Sequence, residues 1–398
     1  MPWRRPRKTE QRQEPPRISQ EERLQSASDA DEERETVELA ALDGASIVEA
    51  ATGEPELMEE APSIAIDAAH LEAALVPPSD RATLPEHGVD LEVEAARGLR
   101  LKNPVLTASG TFGQGVEYAE LIDVSRLGAF VNKGTTRSAR PGNPQYRIAE
   151  TPAGILNSIG LENPGAEEVA RTYGPKWARL AVPVIVNVAG YSVDDYVFVV
   201  EALASTPGVV AFELNISCPN VKGGMLFGCD PGLAADVTRA VRATTDLPII
   251  VKLTPNAPDV VAVARAVEEA GADALTAINT VLGMRIDTQK RRPILGTGSG
   301  GLSGPAIRPI AVHMTYQVAG AVSIPIIGAG GVTSARDALE FLMAGASAVQ
   351  VGTATFADPT APLRVIEGLA AYVRENALGS IRDIIGAARH DGRLPSVE

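Results

Sequence analysis

Eight short apolar runs, each ending in small or polar residues, constrain this chain more than any other feature. They are PVLTASG, AFVNKGTT, PVIVNVAG, AFELNIS, PIIVKLTPN, ALTAINT, IPIIGAGG and AVQVGTATF, in that order. Most are separated by stretches with helical spacing, such as APDVVAVARAVEEAGAD and SARDALEFLMAGASA. In the first, valines and alanines recur at helical spacing and Gly271 supplies the stop. Strands that are apolar throughout are buried on both faces, and alternation with helices makes them parallel. Eight such units over roughly 300 residues predict a (β/α)8 TIM barrel. A doubly wound open sheet is the alternative. Ahead of the first run, VDLEVEA alternates apolar and polar residues, and GLRLKNPV can pair with it as a short N-terminal β-hairpin.

The barrel accounts for only part of the 398 residues. Residues 1–88 hold 9 Lys/Arg against 20 Asp/Glu, a balance of −11 out of the chain's −14, which leaves −3 for residues 89–398. The first segment is an acidic extension, expected to be disordered because it cannot bury enough apolar surface to offset its ordering entropy. Within it, ETVELAALDGASIVEAA can form a transient helix. The second is the expected catalytic domain. Its near-neutral charge makes it a poor candidate for nonspecific nucleic-acid binding, which depends on phosphate neutralisation. With no apolar run of about 18 residues, no membrane span is expected. MPWRRPRKTE lacks the apolar stretch of a secretory signal, and the acidic segment is wrong for a mitochondrial transit peptide. The two cysteines, Cys218 and Cys229, make no disulfide framework and have no metal-ligand spacing. A reducing, cytoplasmic setting and no metal are therefore expected.

A barrel places its chemistry where the strands end. Here the ends supply Ser109, Lys133, Asn187, Asn215, Lys252, Asn279, Gly330–Gly331 and Gly352–Thr353. Buried polar groups cost free energy unless paired, so a ring of them points to a polar ligand. IGAGGVTSARDAL and VGTATF follow the last two runs. Their glycines let backbone N–H groups approach an anion, and a helix N-terminus adds its dipole. A tight strand-to-helix turn is the bland alternative. GTGSGGLSGPAI (296–307) can complete a phosphate site through Gly304 or Ser303. Lys133 and Lys252 both close apolar strands. Such lysines commonly snorkel to solvent, but two at one barrel face can neutralise a bound anion. A flavin fits, since negative charge develops at its N1/C2 carbonyl edge on accepting hydride.

NISCPN sets Cys218 in a polar loop past the fourth run. Structural burial is the commonest role of a free cysteine. A thiol of reference pKa about 8.5 can also serve as a general base once modestly activated. No suitable histidine is near, since His313 falls in a helical pattern, so proton transfer is favoured over nucleophilic attack. Cys229 is assigned no chemistry. Asn157, Asn215, Asn220 and Asn279 offer amide donors and acceptors suited to a planar ring such as a pyrimidine dione, with Lys133 for a carboxylate.

From about residue 89 to 390 the chain resembles the catalytic subunit of the dihydroorotate dehydrogenases. The segments that carry the likeness are NPVLTASGTFGQG, NKGTT, NSIGLENPG, ELNISCPNVKGG, VKLTPN, INT, GGLSGPAI, GAGGV and VGTATF. The resemblance implies FMN held by Ser109, Lys133, Gly134, Asn187, Asn215, Lys252, Ile278, Gly304, Gly330, Gly331, Gly352 and Thr353. It implies substrate held by Lys133, Asn157, Ser158, Ile159, Gly160, Leu161, Asn215, Asn220, Asn279 and Thr280, with Cys218 as the base. Cysteine at 218 is similar to the soluble branches, the membrane-bound branch having serine there. LENPG and NVKGG resemble the NAD-linked branch rather than the fumarate-linked one. That branch implies a homodimer joined by a second subunit carrying FAD and a 2Fe–2S cluster, forming a heterotetramer. The family pattern does not include residues 1–88.

The expected reaction is oxidation of (S)-dihydroorotate to orotate in pyrimidine synthesis. Cys218 takes a proton from C5 as hydride leaves C6, Lys252 stabilises the reduced flavin, and the glycine-rich segment after Pro219 acts as a lid. One rival is reduction of uracil or thymine by a dihydropyrimidine dehydrogenase-like enzyme, which has His where this chain has Asn220. Another is an RNA-modifying flavoprotein of the dihydrouridine synthase type, which needs a basic surface.

Overall fold

The computed structural model describes residues 88–217 and 227–389. Strand β1 (Val93–Ala96) pairs antiparallel with β2 (Leu99–Leu101) across Gly98, whose φ of +76° the turn requires. This is the expected hairpin. Its buried residues pack against the barrel strands, and Arg97 N donates to the carbonyl of Asp273, just before a barrel strand. Strands β3 (Val105–Thr107) and β4 (Phe130–Val131) begin the barrel. An excursion then forms β5 (Ser138–Arg140), β6 (Ile148–Thr151), β7 (Gly154–Asn157), β8 (Asn163–Gly165) and helix α1 (Ala166–Trp177). The chain continues through β9 (Val184–Val188), α2 (Val193–Leu203), β10 (Val209–Asn215), α3 (Pro231–Arg242), β11 (Ile249–Lys252), α4 (Val260–Glu269) and β12 (Ala274–Ala277). A second excursion holds β13 (Val281–Gly283), β14 (Ile286–Asp287), β15 (Arg292–Pro293) and β16 (Gly300–Ser303). Last come α5 (Arg308–Ala319), β17 (Ile326–Ala329), α6 (Ala335–Ala344), β18 (Ala348–Val351), α7 (Ala354–Ala357) and α8 (Ala361–Glu375).

Eight strands form one parallel sheet in the order β3-β18-β17-β12-β11-β10-β9-β4. A parallel bridge between Leu106 and Ala129 joins its two ends, so the sheet closes into the expected barrel. Closure leaves no edge, and β9, β11, β12, β17 and β18 are buried along their full length. The helices start where short polar side chains cap their free N–H groups: Ser192, Asp230, Asp259 and Ser334, the last as a capping box with Asp337. On α4 the buried residues Val260, Val263, Ala264 and Val267 make the stripe read from the sequence. Gly271 (φ +102°) follows that helix and Gly345 (φ +115°) ends α6, as left-handed stops. Gly328 has a packing role. A Cβ there would stand 2.5 Å from the ring of buried Phe341, so its absence lets α6 lie against β17.

The sequence patterns did not reveal a four-stranded antiparallel sheet, ordered β13-β16-β7-β6. It is assembled from both excursions, and both leave the carboxyl ends of barrel strands. The stretch 296–307, read as a glycine-rich loop, contributes β16, whose Leu302 pairs with Leu156 of β7 and Val281 of β13. The strands are short and half-exposed, and the pairing that joins the two excursions, β7 with β16, is distant in the sequence, so no local periodicity marks this sheet.

Candidate active site

Every expected strand-end residue within the described range lies at the carboxyl mouth of the barrel. Ser109 follows β3, Lys133 and Gly134 follow β4, and Asn187 lies in β9. Asn215 and Lys252 end β10 and β11, Ile278, Asn279 and Thr280 follow β12, and Gly304 follows β16. Gly330–Gly331 and Gly352–Thr353 follow β17 and β18. Cys218 and Asn220, the expected base and a substrate contact, lie outside the described residues, as does the segment after Pro219.

The floor of the mouth is a buried polar cluster organised by Glu213, a residue the strand-end reading passed over. Its side chain is wholly buried, and its carboxylate accepts from four donors. Asn187 Nδ2 donates at 2.7 Å, Thr276 Oγ1 at 2.7 Å, Gln350 Nε2 at 2.5 Å and Lys252 Nζ at 3.4 Å. Lys252, only 5% exposed, also donates to Gln350 Oε1 at 3.1 Å. It is therefore no snorkelling residue, as the polar strand ends implied, and its charge already has a partner. Asn132 Oδ1 accepts from the Asn187 backbone N–H at 2.8 Å. Asn187 Oδ1 is buried with no hydrogen-bond partner. Because side chains two apart share a strand face, Glu213 points the same way as Asn215. A carboxylate in AFELNIS and an amide in AVQVGTATF, each within an otherwise apolar run, were the signals available for Glu213 and Gln350.

Above this floor the asparagines meet in sequence. Asn279 Nδ2 donates to Asn215 Oδ1 at 3.1 Å, and Tyr196 Oη donates to the Asn215 carbonyl at 2.8 Å. Thr280 N–H caps Asn279 Oδ1 at 2.8 Å. Asn157 Nδ2 donates to Gly301 O at 3.2 Å, and Gly301 lies so close to Thr280 that a Cβ would overlap its hydroxyl. Asn157, Thr280, Asn279 and Asn215 thus form one continuous wall. The run after Asn157 is held from behind. Asn143 N–H donates to Ile159 O and Asn143 Nδ2 to Ser158 O, both at 2.9 Å, and Arg140 Nε reaches Gly160 O. Ser158 Oγ is buried without a partner. Leu161 holds a left-handed φ of +56°, a strained state for a branched residue, fixed where Asn163 Nδ2 takes its carbonyl at 2.7 Å. A Cβ on Gly134 would lie 3.0 Å from Asn187 Oδ1 and 3.4 Å from Leu161, so this glycine joins the floor to the wall. Beside it, burial pushes the half-buried Lys133 ammonium below its ordinary pKa, Glu162 opposes that shift and Arg147 adds to it. Of the four expected asparagines, three are described and all three belong to this wall.

The glycines gather on the other side. A Cβ on Gly331 (φ +75°) would lie 2.8 Å from the Gly304 carbonyl oxygen, so the loops after β16 and β17 touch there. Thr353 Oγ1 donates to Ser303 Oγ at 2.8 Å, which brings in the loop after β18. A Cβ on Gly352 would lie 3.2 Å from Ala108, the neighbour of buried Ser109. Asp337, which accepts from Thr333, Ser334 and Arg308, pins the α6 end of this loop. The result is a cluster of glycine turns at strand ends and a helix start, a setting that suits an anion.

Residues 91–373 match the family model described as dihydroorotate dehydrogenase. The chain belongs to that oxidoreductase family. Among its relatives is the Dihydroorotate dehydrogenase B (NAD(+)), catalytic subunit of Geobacillus kaustophilus, 53% identical over 296 residues, which are 74% of this chain and 95% of the relative. The protein of the same name from Desulforamulus reducens is 53% identical over 291 residues, 73% of this chain and 96% of its own length. That from Geotalea uraniireducens is 51% identical over 299 residues, 75% and 98%. The family membership implied by the segments from NPVLTASG to VGTATF is borne out. Among the described residues no helix is long and apolar enough to cross a membrane, and no cluster of three or more His, Cys, Asp or Glu could hold a metal ion.

Proposed function

We propose that this chain oxidises (S)-dihydroorotate to orotate with FMN, as the catalytic subunit of an NAD-linked enzyme. The observation that carries the reading is one mouth uniting a cluster of glycine turns, a lysine-bearing floor and an asparagine wall, in a chain 53% identical to relatives named for that activity. FMN fits the residues present. Its phosphate suits the cluster of Gly304, Gly330, Gly331, Gly352 and Thr353. The orphaned Asn187 Oδ1 can accept a ring N–H, and Lys252 retains a third ammonium proton beyond those given to Glu213 and Gln350. Ser109, Lys133, Gly134, Asn215 and Ile278 complete the proposed cofactor contacts.

Bound FMN supplies the hydride acceptor for C6 of the substrate. The chain's own residues do the rest. Asn157 to Leu161, Asn215, Asn220, Asn279 and Thr280 hold the ring, and Lys133 neutralises its carboxylate, so C5 and C6 are fixed in reacting geometry. Cys218 takes the C5 proton, and loss of that proton with the C6 hydride leaves the C5=C6 double bond of orotate. Two cysteines are too few for the four thiolates of a 2Fe–2S cluster. Electrons bound for NAD therefore pass through a partner subunit carrying FAD and that cluster, joined to a homodimer of this chain in a cytoplasmic heterotetramer.

The test is single-turnover flavin reduction by dihydroorotate. Cys218→Ser should slow it about a hundredfold and move its pH dependence upward, because a hydroxyl is a weaker base. An unchanged rate removes the proton-transfer role. Dihydrouracil turning over in preference to dihydroorotate would assign the site to a different pyrimidine.

A further inference from the structure

Glu213 is a buried ionisable group that the proposed mechanism leaves unused, and it lies at the centre of the floor. Glu213 is fully enclosed, and its two oxygens are divided among four donors from four strands: Asn187 of β9, Lys252 of β11, Thr276 of β12 and Gln350 of β18. A carboxylate in such a place is costly unless it is paired and hydrogen-bonded. An apolar residue would pack a barrel core at no such cost, so its presence calls for a role.

The geometry identifies two roles. First, an amide side chain can face either way, and Asn187 is fixed with its Nδ2 donating to Glu213. Its Oδ1 is then the end left without a partner, beside Gly134 at the mouth. Second, Gln350 spans the ion pair, donating through Nε2 to Glu213 and accepting through Oε1 from Lys252. This holds the ammonium against the carboxylate, and the two opposite charges of the pair offset each other within the floor.

We propose that Glu213 is a positioning residue for the cofactor. It orients Asn187 so that an acceptor faces the ligand, and it offsets the Lys252 charge so that bound FMN is less easily reduced than an unpaired lysine would make it. This inference rests on the FMN reading above and extends it. A floor whose paired charges offset each other stabilises the oxidised and reduced forms more evenly, which suits a subunit that must both take electrons and pass them on. No proton or electron moves through Glu213 itself.

The experiment is a spectroelectrochemical titration of the full-length chain reconstituted with FMN, alongside FMN affinity from fluorescence quenching. Glu213→Gln keeps the shape and removes one negative charge. Its midpoint potential should rise, with about a tenfold or larger increase in the reduced-to-oxidised ratio at a fixed solution potential. FMN affinity should fall, because the new amide competes for the orientation of Asn187. Glu213→Asp, which keeps the charge, should hold the potential near that of the unaltered chain. If Glu213→Gln yields no folded holoprotein, it is read in a Lys252→Gln background at alkaline pH, where the two neutral amides can pair. There too it must raise the potential relative to Lys252→Gln alone. An unaltered potential in a folded, FMN-bound Glu213→Gln protein, or a rise equally large in Glu213→Asp, overturns the inference. Failure of the unaltered chain to bind FMN at all would instead overturn the FMN reading.

Discussion

Lys133 and Lys252 look alike in the sequence and differ in the structure. Each closes a short apolar strand, in FVNKG and IVKLTP, and each comes from the same mouth of the same barrel. Lys252 lies in the floor, 5% exposed, held by Glu213 and Gln350. Lys133 stands at the rim, half-buried, and no side-chain hydrogen bond or ion pair holds its ammonium among the described residues. A buried cation with a fixed partner is part of the framework. A half-desolvated cation without one is available to an incoming anion. The surroundings, not the residue type, separate a paired lysine of the floor from an unpaired lysine of the rim.

The sharpest way to break this comparison is to remove each charge in turn. Lys252→Met strands the Glu213 carboxylate in the barrel. Removing one member of a buried pair costs about 3–5 kcal/mol, so its thermal midpoint should fall on the order of 10 °C. Lys133→Met strands nothing and relieves a desolvated cation, so its midpoint should stay within about 2 °C. The effect on ligand is the reverse. Lys133→Met should weaken orotate binding about tenfold to a hundredfold, measured by quenching or calorimetry, through loss of a charge-assisted contact. Equal destabilisation by the two substitutions would remove the distinction between floor and rim.

The contrast also marks what could be read beforehand. Continuous apolar runs with glycine and polar ends specify a closed parallel barrel, and its closure places Lys133, Asn187, Asn215, Lys252 and Asn279 at one mouth without further information. Backbone-built features were legible for the same reason. Gly304 and Gly331 belong together because only glycine tolerates that approach, and such glycines stand out in any sequence. Side-chain networks were not legible. Glu213, Thr276 and Gln350 meet across strands separated by up to 137 residues, and each alone reads as a solitary polar residue in an apolar run. The wall sheet β13-β16-β7-β6 was missed because its strands are short and half-exposed, and the pairing that unites its two halves, β7 with β16, joins segments distant in the sequence.

A second prediction follows from the pH behaviour of Lys133. Burial lowers its pKa, so the ammonium is fully present below that lowered value and is lost as pH rises through it. Orotate affinity should therefore begin to fade at a lower pH than an ordinary lysine would allow. A bound carboxylate favours the charged form and raises the pKa again, so binding in that window should take up a proton. Calorimetry in buffers of different ionisation enthalpy measures the uptake. Lys133→Met should abolish both the uptake and the alkaline fall in affinity. An alkaline fall that persists in Lys133→Met would assign the titration to another group.

The smallest effect separates the two charges that act on Lys133 from a distance. Glu162 raises its pKa and Arg147 lowers it, while the two form an ion pair of their own at 2.5 Å. Glu162→Gln should therefore move the alkaline fall in orotate affinity to lower pH, and Arg147→Gln should move it to higher pH. The Glu162 side chain is about half exposed, so each shift should be well under one pH unit and shrink further as salt screens the charges. The double substitution should return the profile close to its starting point, because the two influences oppose each other. In a Lys252→Met background the same pair of shifts should persist, since the ammonium being tuned lies at the rim. Shifts of one sign in both single variants would mean that the substitutions act by rearranging the Asn157–Leu161 wall rather than through charge. That outcome would assign the rim, like the floor, to fixed structure.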